Sequence, residues 1–526
     1  MMHFLPIGPQ TLLVELADLA ASQALFDALN ADPVAGVTEI IPAARTLMIR
    51  TAPGVAADSA LAAAILARAP SADAPRAAVQ TEVIELPMRY DGEDLADVAQ
   101  HMGLSVAEVI AAHQAALWQV AFCGFAPGFA YMTCDDPRFD LPRRPAPRTR
   151  IPAGSVALAG RFGGIYPQAS PGGWQLIGTT DVPMWDLTRD PPALLRPGQR
   201  VRFVACAAQV QSATVPLPAP VTEGLHVLAT AFPILMQDEG RPGQGGQGVS
   251  ASGALDIGAL RRANRRVGNP ANAAALEITL GPVQLRADHA VTVALEGAAD
   301  RAEIETAGRR LPADLSRPVA LDPGESLLIH PPVAGMRSYL ALRGGFAVDP
   351  VLGSAATDTL ANVGPAPILA GDVVPLAHAP AAAVEPDLRL PRALPAPGQI
   401  VTLPVTLGPR TDWFSPAVVA QFLSQEWEVT AQSSRVGIRL AGAVPIRRDD
   451  AAELPSEGTE TGAIQVPHSG QPVLFLADHP LTGGYPVIAT LLPEALDLAA
   501  QIPPGARIRF TAARPFAPIQ PDASQA

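Results

Sequence analysis

A segment that could bind an anion extends from Ala121 to Gly160 and reads AFCGFAPGFAYMTCDDPRFDLPRRPAPRTRIPAGSVALAG. Aromatic residues alternate there with glycine and proline, and a run of arginines follows between Arg138 and Arg150. A guanidinium group matches a carboxylate or phosphate in a two-pronged hydrogen bond, and glycines let backbone amides approach the same ligand. The segment predicts either an anion-binding mouth or the glycine-rich rim of a barrel. Cys123 has no recognisable base nearby and Ser155 lacks the GxSxG turn, so neither is expected to be a nucleophile.

Two further segments carry polar groups on glycine-rich turns. Asp238 and Arg241 precede a predicted helix in MQDEGRPGQGGQGVSASGALDIGALRRANRRVGNP, a geometry that suits an anion at a helix N-terminus. The glycines of that loop do not have the spacing of a dinucleotide-binding fingerprint. The second segment, between Ser456 and Leu491, supplies Glu457, Gln465, His468, Asp478, Thr482 and Tyr485. These polar residues predict a binding site, because binding sites on barrels often lie at turns, although polar residues are also common in ordinary turns.

The composition limits the chemistry that the chain can perform. Its 526 residues carry a formal net charge of −13, which argues against nucleic-acid or anionic-membrane partners. The sequence contains no lysine, so it can form no Schiff base, P-loop lysine contact or biotinyl-lysine. The three cysteines show no CxxC pair, which supports neither a disulfide framework nor a metal site. The start of the chain lacks the pattern of a signal peptide, and a cytoplasmic location is expected.

The elements that must position these residues are mostly short strands. With 56 prolines and 44 glycines but only 17% charged residues, the chain is predicted to be β-rich. The first 80 residues or so read as a small α+β domain, and the later apolar runs read as barrels or sandwiches. Ser105 and Glu108 have the spacing of a capping box, which predicts the start of a helix. A linker is predicted at Pro216–Gly224, a second linker or a long crossing loop is predicted at Ala377–Pro397, and disorder is predicted after Pro515.

The motifs of both halves resemble known proteins. The first half, through HQAALWQVAFCGFAPGFAYM, PRTRIPAGSVALAG and IYPQASPGGWQLIG, resembles the B subunit of 5-oxoprolinase, also described as the sporulation-kinase-inhibitor and allophanate hydrolase subunit 1 family. The second half, through QDEGRPG, SGALDIGALRRANRRVGNP, YLALRGGFAVDPVLGS, SEGTETGAIQVP and TGGYPVIATL, resembles the C subunit of 5-oxoprolinase. Joined head to tail, the halves resemble the urea amidolyase-like, biotin-dependent carboxyltransferase-domain family.

The resemblance implies a β-rich α+β fold with cyclophilin-like β-barrels. A small α/β domain would occupy residues 1–82, and barrel domains would follow over residues 83–215, 224–390 and 391–515. In the similar carboxyltransferase region of urea carboxylase the site lies between the halves, so the same is expected here.

The resemblance also implies a set of site residues. His113 or Asp478 would be the general base, and Arg148 and Arg241 would hold a phosphate or carboxylate. The remaining catalytic candidates are Gln465 and Tyr485. The remaining binding candidates are Ser155, Tyr166, Trp174, Asp256, Asn264 and Thr482.

Three functions follow from the resemblance. The leading one is a 5-oxoprolinase that opens 5-oxoproline to glutamate with ATP and Mg²⁺ and works with a separate A subunit. The second is a carboxyltransferase component of the urea carboxylase type, served by biotin on another protein. The third is a binding protein that regulates a histidine kinase. Homo-oligomers are compatible with all three.

Overall fold

The computed structural model describes residues 2–70, 82–144, 146–206, 222–384, 392–448 and 454–522. Within these ranges no helix is long and apolar enough to cross a membrane. The predicted linker at Pro216–Gly224 lies outside the described residues except for its last three positions, and part of the predicted linker within Ala377–Pro397 also lies outside them. We call residues 2–206 the first half and residues 222–522 the second half.

The N-terminal domain is a four-stranded antiparallel sheet with two helices. Asp18 and Asp58 accept hydrogen bonds from amides in the first turn of each helix, which fixes where the helices begin. The strands lie in the order β1-β2-β4-β3. The elements are β1 (His3–Gly8), β2 (Thr11–Glu15), α1 (Leu19–Ala31), β3 (Val37–Pro42), β4 (Thr46–Thr51) and α2 (Ser59–Leu66).

The rest of the first half is a seven-stranded, nearly closed barrel. Its elements are β5 (Val83–Met88), α3 (Leu95–Met102), α4 (Val106–Ala115), β6 (Trp118–Cys123), β7 (Ala130–Thr133), β8 (Arg148–Ile151), β9 (Ser155–Ala159), β10 (Phe162–Ile165), β11 (Ser170–Gly172), β12 (Gln175–Thr179) and β13 (Arg200–Ala205). The strand order is β12-β9-β10-β7-β6-β13-β5, and a pair of backbone hydrogen bonds between Arg89 and Thr179 joins its two ends. The capping box of Ser105 and Glu108 is confirmed at the start of α4.

The second half begins with two sheets that enclose a common core. Helix α5 covers one of them, because its alanine and leucine face packs against alanines and Tyr339 of the sheet. The elements are β14 (Leu225–Thr230), β15 (Leu235–Gln237), α5 (Ile257–Arg266), β16 (Ala275–Thr279), β17 (Val283–Ala287), β18 (Val291–Gly297), β19 (Ala302–Thr306), β20 (Arg309–Pro312), β21 (Val319–Leu321), β22 (Ser326–Ile329), β23 (Arg337–Leu342) and β24 (Val373–Val374). The strand orders are β20-β19-β22-β17-β14-β24 and β15-β16-β23-β18-β21.

The last domain is a closed seven-stranded barrel. Buried and exposed residues alternate along its first and last strands, as a barrel wall requires. The elements are β25 (Ile400–Leu407), α6 (Pro416–Ser424), β26 (Trp427–Val429), β27 (Gly437–Gly442), β28 (Glu457–Gly458), β29 (Ala463–Gln465), β30 (Val473–Phe475), β31 (Thr482–Gly483), β32 (Val487–Leu491), α7 (Leu496–Ala499) and β33 (Arg507–Arg514). The barrel closes in the order β25-β32-β29-β30-β27-β26-β33, while β28 and β31 form a separate two-stranded ribbon. The predicted β-rich α+β fold with barrels is confirmed.

The N-terminal domain packs against this last barrel. Leu481 is buried in a cluster with apolar residues of the first two strands and of β4. Arg50 forms ion pairs with Glu39 of its own domain and with Glu460 of the second half. The tail returns to the first domain, where the Ile519 amide donates to the Phe4 carbonyl and the Asp522 amide donates to the Ser59 carbonyl. The predicted disorder after Pro515 is therefore wrong up to Asp522.

Candidate functional site

The two halves also meet at the turn between β6 and β7, and a small pocket lies at this contact. We call the contact the seam and the cavity the seam pocket. The cavity measures about 10 Å³, which is room for one water molecule. The lining of the seam pocket comes from Phe125, Ala126 and Pro127 of the first half and from Gly248, Ser250, Asp358, Leu360, Ala361, His479, Pro480 and Leu481 of the second half.

The first half contributes the seam turn, Gly124–Phe129. The Gly128 amide donates a hydrogen bond of 2.9 Å to the Gln247 carbonyl across the seam. Phe125 has a left-handed backbone conformation, with φ of 66°. Few residues other than glycine adopt this conformation, and those that do are often found at catalytic or ligand-binding sites. A Cβ on Gly124 would lie 2.3 Å from Thr482 Oγ1, so this close approach requires glycine. The seam turn is thus shaped to fit the second half.

Aromatic rings support the seam turn from behind. Phe129 meets Tyr166 and Trp174 edge to face, with ring centroids 5.3 and 5.4 Å apart. Tyr166 and Trp174 are both buried, and burial raises the pKa of the Tyr166 hydroxyl well above its usual range. These two candidates from the sequence therefore shape the seam turn and do not line the pocket itself.

Asp358 is the buried acid of the seam pocket. Its Oδ1 accepts hydrogen bonds from the Leu360 and Ala361 amides at 2.9 and 2.8 Å, and its Oδ2 accepts from the Ser250 hydroxyl at 3.0 Å. Burial, together with the negative charge of nearby Asp478, raises the pKa of this carboxyl to about 6. A carboxyl group that titrates near neutral pH in a pocket is suited to proton transfer.

Asp478, a predicted catalytic residue, lies next to Asp358 but has a different character. Burial alone would raise its pKa, yet the charge and hydrogen bonds of Arg435 outweigh burial and lower the pKa. Both oxygens accept from Arg435 at 2.9 Å, and they also accept from the Ser252 hydroxyl and from the amide and hydroxyl of Thr359. With its oxygens committed in this way, Asp478 serves as the anionic partner of Arg435 and not as a free base.

Arg241 lies inside the protein, under the loop that carries Asp358. It is 1% exposed, and its Nε and Nη2 donate to the Val351 and Ala356 carbonyls. Its Nη1 has no hydrogen-bond partner among the described residues. Burial lowers the pKa of this guanidinium, although the carboxylates of Asp358, Asp238 and Asp478 oppose the shift. Arg241 therefore supplies buried positive charge beside Asp358 and holds its loop.

His479 lines the seam pocket as a neutral imidazole. Its Nδ1 lies 2.9 Å from the Pro480 carbonyl, which can only accept, so Nδ1 carries the proton. Burial lowers the pKa of the ring, which keeps Nε2 unprotonated near neutral pH. No described residue forms a hydrogen bond to Nε2. The ring can therefore accept a hydrogen bond from a ligand.

Arg148 and His113 have internal partners away from the seam pocket. Both Arg148 Nη atoms donate to the buried carboxylate of Asp94 at 2.9 Å, so an external anion would have to displace Asp94. His113 lies in the aromatic core of the first barrel, where it contacts Tyr90 and Phe203. Burial lowers the pKa of His113 to about 3. An imidazole without solvent or ligand access cannot take a proton from a substrate.

Each of the remaining predicted site residues has a structural contact, such as a helix cap, a buried hydrogen bond or a packing contact. Asp256 caps α5 through the Ala259 amide, and Asn264 is buried in hydrogen bonds to Ala273 and Asn269. Ser155 is buried at the start of β9. Gln465 donates to the Tyr485 carbonyl, and the Tyr485 ring is partly exposed beside His468. Thr482 contacts the seam turn, as its distance from Gly124 shows.

Asp358, Ser250 and His479 are not among the residues predicted from the sequence. Ser250 and His479 belong to segments that are polar and glycine-rich, and that signal could have identified them. Asp358 sits in SAATDTL, which carries no motif of its own. Its partner Ser250 is 108 residues earlier in the chain.

A wider cleft lies on the other side of the Gly243–Ser250 loop. It measures about 490 Å³ and opens between helix α1, the turn before β13 and the glycine loop. Arg196 in this cleft forms no ion pair with any carboxylate of the described chain. The lining consists of Phe26, Pro191, Arg196, Pro197, Gln199, Gly243, Gly246 and Gln247.

The fold and the seam define a class of protein: two barrel-bearing halves that build one pocket together. Residues 2–195 match the family model of the carboxyltransferase domain, subdomain C and D, and residues 247–512 match that of the carboxyltransferase domain, subdomain A and B. The chain belongs to the carboxyltransferase-domain family, with both parts present in one polypeptide.

Individual relatives match one half or the whole chain. The C subunit of 5-oxoprolinase from Escherichia coli K12 is 37% identical over 54% of this chain and 90% of that protein. The B subunit of 5-oxoprolinase from Escherichia coli O157:H7 is 48% identical over 24% of this chain, and the match spans 59% of its length. Urea amidolyase of Lachancea kluyveri is 32% identical over 53% of this chain but only 16% of its own length. The crystal structure of TTHA0988 covers 95% of this chain and 99% of its own, with 35% identity and a TM-score of 0.79.

Proposed function

We propose that this chain supplies the B and C parts of a 5-oxoprolinase, which opens 5-oxoproline to glutamate with ATP and a separate A subunit. The observation that carries the proposal is the seam pocket, which residues from both halves build together. The relatives of the two halves are named as the B and C subunits of 5-oxoprolinase. A site that needs both parts gives a physical reason for joining them.

The chemistry of lactam opening fits the groups at the pocket. Water must add to an activated carbonyl carbon, the ring C–N bond must break, and the nitrogen must gain a proton. Asp358 can exchange a proton, and His479 Nε2 can accept a hydrogen bond from the lactam N–H. The cavity of about 10 Å³ is too small for a lactam ring, so the pocket must widen when substrate enters.

The seam pocket is poorly suited to bind the phosphates of ATP. Phosphates require cations, and both arginines predicted to bind them have internal partners. Arg196 in the wider cleft has no carboxylate partner among the described residues, and Gly243 and Gly246 line the same cleft. We therefore assign ATP and its Mg²⁺ to the A subunit, with Arg196 as the group of this chain best placed to meet a phosphate.

Phosphate release from ATP tests the proposal. The purified chain is assayed with and without a matching A subunit, and with and without 5-oxoproline, while glutamate is measured in parallel. Release that needs all three components, with glutamate formed in step, is the expected result. Turnover by the A subunit alone at the full rate would contradict a role for this chain.

A carboxyltransferase role is the second candidate. The similarity to urea amidolyase over 53% of the chain favours it. Because the chain has no lysine, biotin would have to be attached to another protein. Transfer of carboxyl from a carboxybiotinyl carrier to urea, without any response to 5-oxoproline, would establish this role in place of the first.

A further inference from the structure

Three groups that can exchange or accept protons face one cavity at the seam: Asp358, Ser250 and His479. All three side chains belong to residues that are at most 5% exposed. Ser250 donates to Asp358, and Asp358 also holds the Leu360 and Ala361 amides of its own loop. The carboxyl is therefore fixed in position, and its residue lines the seam pocket.

The charges around Asp358 poise it for proton exchange. Asp478 stays ionised because the positive charge of Arg435 lowers its pKa. The negative charge of Asp478 in turn disfavours ionisation of Asp358. The positive charge of Arg241 attracts the Asp358 carboxylate and so favours ionisation of Asp358. Burial lowers the pKa of Arg241 itself, whereas the charges of Asp358 and Asp238 raise it. Burial of Asp358 adds to the effect of Asp478, and together they leave its pKa at about 6. At neutral pH most of the carboxyl is ionised and ready to take a proton.

The competing bases at the seam are less suitable. Asp478 has its oxygens occupied by Arg435, Ser252 and Thr359. His479 donates from Nδ1 to a carbonyl and has a lowered pKa, so its imidazolium is costly to form. Its unprotonated Nε2 is better used as an acceptor that orients a ligand N–H.

We propose that Asp358 is the general base of the seam pocket and that His479 Nε2 orients the substrate by accepting its N–H. The inference deepens the proposed function and rests on it. Asp358 Oδ2 takes a proton from the attacking water, directly or through the Ser250 hydroxyl, while the water oxygen bonds to the activated carbonyl carbon. The protonated carboxyl then returns that proton to the ring nitrogen as the C–N bond breaks, which leaves the phosphoryl group from ATP on the freed carboxyl as an acyl phosphate. A second water releases that group as inorganic phosphate and forms the carboxylate of glutamate. The Asp358 carboxylate is regenerated, and no external acid is consumed.

Asp358→Asn is the principal test, because its remaining Oδ1 can still accept from the Leu360 and Ala361 amides. With the A subunit, ATP and 5-oxoproline, we expect kcat to fall about 100-fold or more with little change in KM. The rising limb of kcat near pH 6 should disappear in this variant and move in Asp358→Glu. Asp349→Asn removes an exposed carboxylate of the same half and should leave both parameters unchanged. His479→Gln should raise KM more than it lowers kcat.

A second readout does not depend on the reaction. Infrared difference spectra of the full chain, recorded during a pH titration without substrate, should show a buried carboxyl titrating near pH 6 that is absent from Asp358→Asn. Titration of that group below about pH 4.5, or an unchanged kcat and pH profile in Asp358→Asn, would overturn the inference. If the wild-type chain shows the titration but no turnover of 5-oxoproline, the proposed substrate is wrong while the proton-exchanging carboxyl stands.

Discussion

Asp358 and Asp478 share one buried environment but have opposite shifts in pKa. Asp478 has Arg435 as a direct partner, whereas among the described residues the donors to Asp358 are the Ser250 hydroxyl and two backbone amides. A guanidinium in contact stabilises a carboxylate more than neutral donors do, so the pair divides into one permanent anion and one exchangeable proton. This division gives the seam pocket one carboxyl group that can exchange a proton near neutral pH.

The raised pKa of Asp358 predicts a pH dependence of stability. Its pKa is near 3.8 in the unfolded chain and about 6 in the folded one, so the folded state binds its proton more tightly. The resulting stabilisation is complete below pH 3.8 and is lost as the pH rises to about 6. Compared with Asp358→Asn, the wild type should lose on the order of 2 kcal/mol of unfolding free energy over this range. Urea denaturation at a series of pH values measures the difference, and a difference that does not vary with pH would contradict it.

Substitution of Arg148 tests whether this residue stabilises the fold or binds an anionic ligand. Arg148→Ala leaves the buried Asp94 with Arg144 as its remaining ion-pair partner, and we expect a loss of about 1–3 kcal/mol in unfolding free energy. Substrate and nucleotide affinities should be unchanged. Arg138→Ala, which removes an exposed pair with Asp136, is the matched control and should leave the unfolding free energy nearly unchanged. A weakened affinity for 5-oxoproline or ATP in Arg148→Ala would restore its predicted anion-binding role.

At the scale of elements, the seam turn leaves no room for a larger side chain at Gly124. Gly124→Ala places a methyl group against Thr482, and we expect a loss of about 1–3 kcal/mol in unfolding free energy. Thr482→Ala makes room for that methyl group, so the double variant should regain most of the loss. Gly246→Ala is the control, because open space surrounds that glycine in the neighbouring loop. Additive losses in the double variant would show that the two residues do not press on each other.

The sequence predicted elements better than it predicted the site. Local signals such as the capping box at Ser105 and Glu108 depend on residues three apart, and the structure confirms the helix there. The candidate site depends on tertiary contacts, and its acid, Asp358, accepts a hydrogen bond from Ser250, which is 108 residues earlier in the chain. His113 and Arg148 are predicted as site residues because their positions match motifs of the family that the chain resembles. In the structure, His113 packs in the core of the first barrel and Arg148 pairs with Asp94. Only the fold can separate these cases.

At the scale of the whole molecule, the halves should stay together without their covalent connection. Each half contributes buried charge and apolar surface to the other, as Arg50 with Glu460 and the Leu481 cluster show. A protease site inserted within residues 207–221 should therefore give two fragments that co-elute in size-exclusion chromatography after cleavage. Glu460→Arg places a positive charge against Arg50 and should weaken the association. Full separation of the wild-type fragments would mean that the connection itself holds the halves together.

The hydrogen bond from Ile519 to Phe4 has a consequence for how the two halves can be ordered along a gene. Because the tail returns to the first strand, a short peptide could join the residues after Asp522 to those before Met2 without crossing the core. Opening the chain between residues 207 and 221 would then give a circular permutant in which the second half is translated first. We expect such a permutant to keep the contacts between the tail and the first domain, because the same residues would meet in the folded protein.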